Sequence, residues 1–565
     1  MSMKSKLFIY QIFPRLFGNT KSVNKENGSL EENGVGKFSS ISSKALSEIK
    51  KMGFTHIWFT GIIEHASKTD YTRYGIQKDN PEVVKGNAGS PYAIRDYYDV
   101  CPDLADDVAN RMFEFEELIA RTHRAGMKVI IDFVPNHVAR QYHSDAKPRK
   151  IKDLGCEDDN TQGFAPDNNF YYLPGQNLEL QFETSQGENA YIEYPAKVTG
   201  NDKFDNKPTL DDWYETVKLN YGVNYWDNRA KFFTAEPDTW HKMKEILLYW
   251  ASKGVDGFRC DMAEMVPVEF WNWVINEVKS KYKSIVFVAE VYNPAEYGSY
   301  TYTGKFDYLY DKVGLYDAIK SITCGERPAS DITFCWQKLE ELQPRMLNFM
   351  ENHDEQRIAS DFFAGNAFKA IPGMIVSVTM NTNPVLIYSG QELGERGMDK
   401  EGFSGVDGRT SIYDYWSVDS LRKWYNNGNF GNEQLSPEQI ELRKFYIKLL
   451  TLSNDESAIY KGNFFDLMYA NYENPRFDPT KQFTYLRAYK KELILIVVNF
   501  GDKDADVTIN IPDLAFDYLK IKGGDYVSAK DLLGGRSISL KKGLGSKFDA
   551  KLSAFSGKII KFSTK

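Results

Sequence analysis

Four apolar runs in this 565-residue chain end in side chains that ionise or hydrogen-bond. Val129-Ile130-Ile131 runs into Asp132 and then, past Pro135, into Asn136 and His137. Gly257-Phe258 leads to Arg259 and Asp261, which alternate around Cys260 and so share one side of a strand. Phe287-Val288-Ala289 ends in Glu290, and Asn348-Phe349-Met350 leads through Asn352 to His353 and Asp354. A single acid at a strand end is commonly a helix N-cap or half of a loop ion pair. Four ends that together supply carboxylates, an arginine and two of only seven histidines are hard to explain that way. Three carboxylates on a neutral rim suit cleavage of a glycosidic bond. One must be protonated to donate to the leaving oxygen, and another must be ionised to attack the anomeric carbon. Arg259 beside Asp261 favours the charged form, which makes Asp261 the candidate nucleophile. Glu290 follows apolar residues without an adjacent cation, which makes it the candidate acid. Asp354 is the candidate acceptor for sugar hydroxyls as the ring distorts, since ionised acceptors form the stronger hydrogen bonds.

These ends must be brought to one face. A helical pattern, a glycine stop and a buried strand recur along the chain. Leu46, Ile49 and Met52 precede Gly53 and the run Phe54–Thr60. Phe115, Leu118 and Ile119 precede Gly126 and Met127–Phe133, and Trp240, Met243, Leu247 and Trp250 precede Gly254 and Gly257–Asp261. Phe270, Val274 and Val278 precede Ile285–Ala289. With Leu7–Phe13, Phe306–Leu309, Met346–Met350 and Pro384–Tyr388 the strand count reaches eight. Eight such units predict an α/β fold, a closed (β/α)8 TIM barrel whose C-terminal strand ends share one face. A doubly wound open sheet is the competing arrangement. Residues 139–228 lack helical period and are too long for a structureless loop, so they predict an inserted domain after the third strand. The barrel then takes 1–138 and 229–455. Short strand-like runs at Phe483–Tyr489, Leu493–Asn499, Asp506–Ile511 and Lys558–Phe562 predict a C-terminal antiparallel β-sandwich over 456–565.

A formal charge of -8 without any Lys/Arg block argues against a nucleic-acid or anionic-membrane surface. Aromatics make up 14% of the chain, which serves large cores or sugar-stacking platforms. The five cysteines are scattered and form no CxxC, so neither a disulfide framework nor a zinc site is indicated. Met1 to Tyr10 holds no long apolar stretch, and nothing later reads as a membrane span, so a cytoplasmic location is expected. Oligomeric state is open.

Together, Asp132–His137, Gly257–Asp261, the run ending at Glu290 and Asn352-His353-Asp354 resemble the signature regions of the α-amylase family of glycoside hydrolases. Their order and spacing fit, and the resemblance covers nearly the whole chain. It implies that Asp261 is the nucleophile, Glu290 the general acid/base, Asp354 the transition-state stabiliser and Arg259 the residue that positions Asp261. It implies that His137 and His353 bind sugar hydroxyls and that Asp132 is a structural hydrogen-bonding residue. Tyr92-Ala93-Ile94-Arg95-Asp96-Tyr97-Tyr98 resembles the family's stacking segment, which nominates Tyr92 as the platform under the same sugar. Tyr292, just past Glu290, is placed to stack an acceptor sugar. The implied activity is retaining hydrolysis of α-1,4 links in maltooligosaccharides or starch-type glucans. Transfer of glycosyl units by the same site is the alternative, and a non-catalytic binding or transporter-associated subunit is a remote one.

Two departures bear on the subgroup. Thr216-Val217-Lys218-Leu219-Asn220 carries Lys218 where many secreted amylases have an Asp that binds structural calcium. An ammonium repels a hard cation, so the usual site is expected to be absent or altered, even though Asn136 matches another family ligand, and no cofactor is required. The Lys-Leu-Asn version resembles neopullulanases and cyclodextrinases. Those usually carry an extra N-terminal β-domain, not expected here because the first barrel strand begins near Leu7. Glu264-Met265 matches neither the Lys-His of many amylases nor the Asn-Glu of the cyclodextrinase group, which leaves acceptor preference open.

Overall fold

The computed structural model describes residues 6–184, 190–541 and 543–564. Met1–Ser5, where the leader was sought, and 185–189 of the inserted interval lie outside the described residues. Eight parallel strands form one sheet: β1 (Phe8–Ile12), β2 (His56–Phe59), β3 (Lys128–Phe133), β4 (Gly257–Cys260), β5 (Val286–Ala289), β6 (Tyr308–Tyr310), β7 (Met346–Leu347) and β8 (Val385–Tyr388). Neighbours pair in sequence order, and β1 pairs with β8 through Phe8 to Gln11. The last seam closes where Asn348 bridges Val385 in parallel and the Leu386 N–H donates to the Asn348 carbonyl at 2.9 Å. The result is the TIM barrel, and it excludes the open sheet.

Each strand is apolar because both of its faces are covered. Ile9, Trp58, Ile130, Val288, Tyr310, Leu347 and Leu386 fill the lumen, while the alternate residues Phe8, Tyr10, Ile57, Phe59, Val129, Ile131, Phe258 and Phe287 pack beneath the helices. The helix-to-strand turns use left-handed backbone, with φ of 104° at Gly53, 73° at Gly126 and 95° at Gly254. Those values are what made the glycine stops readable.

The strand bounds differ from the expected runs at their ends, and two of the differences have a visible cause. β6 starts at Tyr308 because Lys305, at φ 69°, turns the chain and sends Phe306 into the helix layer against Trp271, 4.7 Å between centroids. β7 is shorter than the run Met346–Met350: Phe349 and Met350 stay buried but leave the ladder as the chain swings towards Asp354.

The excursion after β3 is anchored at its base, where His137–Ala139 pairs antiparallel with Thr216–Lys218. It contains the strand pair Tyr172–Leu173 with Ala196–Lys197 and a small core of Tyr171, Leu173, Ala196 and Val198. After helix Pro437–Asp455 the chain forms an antiparallel six-stranded sheet and a separate antiparallel pair, Ala505–Asn510 with Lys547–Leu552. The pair packs on the larger sheet through Phe548 and Phe562, 5.3 Å apart, so the two layers are unequal. Fully buried Arg487 ties this unit to the barrel, donating to the carbonyls of Met380, Ile459 and Gly462 at 2.8, 2.8 and 2.7 Å. Among the described residues no helix is long and apolar enough to cross a membrane.

Candidate active site

β4 sets the site. Phe258 and Cys260 face the helix layer, and Arg259 faces the lumen, its Cζ 5.3, 5.4 and 5.6 Å from the ring centroids of Trp58, Tyr92 and Tyr310. Only 1% of Arg259 is exposed. Its Nη1 donates to Asp261 Oδ1 at 2.6 Å and lies 3.6 Å from Asp132 Oδ1. Its Nη2 lies 2.8 Å from Glu290 Oε2 and 3.8 Å from Asp354 Oδ2. The Glu290 contact is an ion pair without a directed hydrogen bond. Glu290 is instead oriented by the Met262 N–H, 2.8 Å from Oε2, and by the Tyr292 hydroxyl, 2.6 Å from Oε1. Met262 adopts left-handed backbone, φ 42°, to present that N–H. For a side chain with a Cβ this is a strained conformation, stored beside the reactive groups.

One guanidinium therefore faces four carboxyl groups. This corrects two expectations. Glu290 does have a cation beside it, supplied across the lumen from β4. And Arg259 does not suffice to hold Asp261 in the ordinary carboxylate range: burial pushes its carboxyl well above that range, Arg259 pulls it back only in part, and Glu290 and Asp354 push it further. Asp354 is pushed up to about 7, by burial first and by Glu290 next. Because 37% of its side chain is open to the cleft, the Glu290 charge is the cause a substitution can isolate. Glu290→Gln is expected to lower the pH at which Asp354 ionises, read by 13C NMR of labelled aspartate; an unmoved titration would contradict the coupling. Asp132 is pushed up to about 6 by burial, against the pull of Arg259 and of the Trp58 N–H, which donates at 3.0 Å.

Tyr92, His137, Asp261, Glu290, Tyr292 and Asp354 line one cleft of about 260 Å³. Arg259 and His353 lie beneath it. His353 Nδ1 accepts from Gln11 Nε2 at 2.8 Å, which leaves the proton on Nε2, facing the Tyr92 hydroxyl and Asp354 Oδ2, the latter at 3.1 Å. Burial and Arg259 keep the ring neutral. Both nitrogens thus face protein groups, so a sugar hydroxyl reaches His353 only by displacing one of them. The Tyr92 ring lies nearly parallel to His353 at 5.3 Å and its hydroxyl donates to Asp132 at 3.3 Å. His137 is held neutral by burial and by the charges of Lys218 and Lys85, its pKa brought down to about 3. Its Nδ1 faces the Asn136 amide at 3.2 Å, and Trp213 packs on the ring at 5.1 Å.

A family model described as "Alpha amylase, catalytic domain" matches residues 11–435. That span is most of the chain and contains all four strand ends. The chain belongs to the alpha-amylase family. Alpha-amylase 3 of Dictyoglomus thermophilum is 23% identical over 475 residues, 80% of this chain and 82% of its own length. Neopullulanase 2 of Thermoactinomyces vulgaris is 22% identical over 404 residues, 69% of this chain and 56% of that protein. The crystal structure of an alpha-amylase from Geobacillus thermoleovorans, complexed with acarbose, superposes with TM-score 0.64 at 19% identity over the full length of both chains. A maltogenic alpha-amylase from Thermotoga neapolitana does so with TM-score 0.62 at 19% identity, again over both full lengths. The protein is thus an alpha-amylase-family glycoside hydrolase.

Within that family frame, several contacts were out of reach of sequence reasoning. Glu264, which matched no familiar subgroup, uses Oε2 to accept from the backbone N–H groups of Tyr292 and Asn293 at 3.1 and 3.0 Å. It pins the loop whose tyrosine holds Glu290. Trp213 and Tyr413 add rings to the cleft wall, and Lys85 pairs with Glu215 there at 3.2 Å. They lie in stretches without a repeating pattern, so nothing local marked them. Lys218, 2% exposed, puts its ammonium 2.8 Å from Asn136 Oδ1 and 2.5 Å from Asp202 Oδ1.

Proposed function

We propose that the protein is a retaining hydrolase that cleaves α-1,4-glucosidic bonds of maltooligosaccharides and starch-type glucans. The observation that carries this reading is the single guanidinium that holds Asp261 and Glu290 at 2.6 and 2.8 Å on the floor of one cleft. Asp261 attacks the anomeric carbon as the C–O bond to the leaving sugar breaks, and Glu290 gives its proton to the leaving oxygen. A covalent glycosyl ester forms on Asp261. Glu290 then takes a proton from water, which attacks the anomeric carbon, displaces the Asp261 carboxylate and restores the anomeric configuration, microscopic reversibility giving both steps the same two residues. Four carboxyls around one cation, three of them buried, cannot all ionise cheaply, so the cluster keeps a proton available near neutral pH. Asp354 and His137 accept and donate to hydroxyls of the distorted ring, and Tyr92 supports its face. Tyr292, on the other side of Glu290, meets the acceptor sugar.

The test is the product from maltoheptaose. Shorter oligosaccharides with a stoichiometric gain in reducing ends, and α-anomers by NMR at the earliest times, are expected. Longer oligosaccharides with little reducing-end gain would replace hydrolysis by transfer. β-anomers would overturn the double displacement.

The donors near Asn136 do not fit the calcium of family relatives. The Lys218 ammonium stands against Asn136 and Asp202, supplying a fixed positive charge where an ion would need only oxygen ligands. We therefore expect EDTA to leave the Tm within about 1 °C, whereas loss of a bound ion shifts stability by mass action. A fall of several degrees, reversed by calcium, would contradict the substitution. All five cysteines are unpaired, which supports a reducing compartment such as the cytoplasm.

A further inference from the structure

A second groove, about 1270 Å³ against about 260 Å³ at the acids, lies where the barrel meets the C-terminal sheet. Helix Asp331–Leu339 forms one wall and strand Asn463–Asp466 the other. Gln343 and Pro344, which line it, immediately precede β7, and Asn381 and Thr382 immediately precede β8. The groove therefore opens at the N-terminal strand ends, the face of the barrel opposite the acids. It is not an extension of the catalytic cleft, and the chemistry of the barrel leaves it unexplained.

Its surface is built and rigid. Trp336 is fixed from the opposite wall: its indole N–H donates to Asp466 Oδ2 at 2.8 Å, the Thr333 hydroxyl donates to the same oxygen at 2.7 Å, and Phe464 meets the ring at 5.3 Å. Tyr469 and Tyr518 flank Phe465 at 6.2 and 5.5 Å and leave 52% and 58% of their surface in solvent. The buried charges of the walls are consumed internally, Asp466 by these donors and the Met468 N–H, Arg487 by backbone carbonyls. Together with the charged side chains of Glu340 and Lys461, what remains is exposed ring surface with phenol tips and side-chain amides. Among these, Gln343 is 8% exposed and its amide nitrogen has no partner. Ring faces stack on the C–H faces of a neutral sugar, amides and phenols take its hydroxyls, and the pinned rings lose little freedom on binding.

We propose that this groove is a second, non-catalytic binding site for an α-glucan chain, holding a polymer at the face of the barrel away from the acids. The proposal rests on the substrate class proposed above. Held there, one part of a glycogen-sized polymer raises the local concentration of another part at the cleft, while a short oligosaccharide gains nothing from it.

The test uses the full-length protein. Glycogen affinity is measured by gel retardation in the Asp261→Asn background, so that the polymer is not degraded, with and without Tyr469→Ala/Tyr518→Ala. Both tyrosines are half-exposed, and circular dichroism and Tm confirm that the double variant folds. We expect the substitutions to weaken glycogen affinity about tenfold. In the active enzyme they are expected to raise the KM for glycogen while kcat/KM on maltotriose stays within about twofold. Unchanged glycogen affinity, with maltotriose still cleaved by the unsubstituted enzyme, would overturn the groove assignment alone. Failure of that enzyme to cleave maltotriose would overturn the substrate class and the groove with it. A concentration-dependent dimer in light scattering, abolished by the substitutions, would overturn the proposal in favour of a second copy.

Discussion

Asp261→Asn is expected to lower kcat/KM by about four orders of magnitude or more, with a Tm equal to or above that of the unsubstituted protein. The first part follows from the role of the group, because an amide oxygen cannot replace the carboxylate that forms the covalent intermediate. The second follows from the sign of its pKa shift. Burial raises the folded-state value above the unfolded one, so the stability contributed by Asp261 is present below the ordinary carboxylate range and lost as pH rises through the raised value. At neutral pH the ionised form opposes folding, and a neutral amide of the same shape removes that cost. Residual activity within tenfold of the unsubstituted enzyme would refute the assignment. A large fall in Tm would show that the Arg259 contact is worth more to the fold than the desolvation it opposes.

Arg259→Leu is expected to damage fold and activity together. It leaves Asp261, Glu290, Asp132 and Asp354 without the one cation they share. Breaking a buried ion pair from one side typically costs about 3–5 kcal/mol. The sign with pH is distinctive. Without the guanidinium the values of Asp261, Asp132 and Asp354 climb further, so the deficit is largest at high pH and shrinks as falling pH protonates them. Urea unfolding at several pH values reads this directly, and a deficit that grows on acidification would contradict it. Arg259→Lys is expected to recover part of the stability and little of the activity. A point charge cannot meet Asp261 on one nitrogen and Glu290 on another while its chain packs between Trp58, Tyr92 and Tyr310.

The barrel was legible because its strands are short, wholly apolar and preceded by glycines that the backbone requires at positive φ. Asp132, Arg259, Asp261, Glu290 and Asp354 stood out because they interrupt those runs at corresponding positions, and β4 does place Arg259 and Asp261 on one side. Contacts that cross the lumen were not legible. No spacing along the chain says that Arg259 reaches Glu290, which is why Glu290 read as lacking a cation. The same holds for Gln11 under His353, which comes from the first strand and meets a loop 342 residues later. Glu264 looked like an unmatched subgroup position, and its use as a clamp on the Tyr292 loop becomes visible only when β4 and β5 lie side by side. The start of β6 was misplaced because Phe306 is as apolar as a strand residue but serves the helix layer.

The central claim is that Asp261 forms the covalent bond and Glu290 moves the proton. The most direct measurement is to trap the intermediate with a 5-fluoro-α-glucosyl fluoride, in the Glu290→Gln variant to slow its release, and to map the adduct by peptide mass spectrometry. The expected result is one glycosyl mass on the peptide containing Asp261, with turnover restored by azide as an α-glucosyl azide. An adduct on any other carboxylate, or full retention of activity in Glu290→Gln with no adduct at all, would contradict the account.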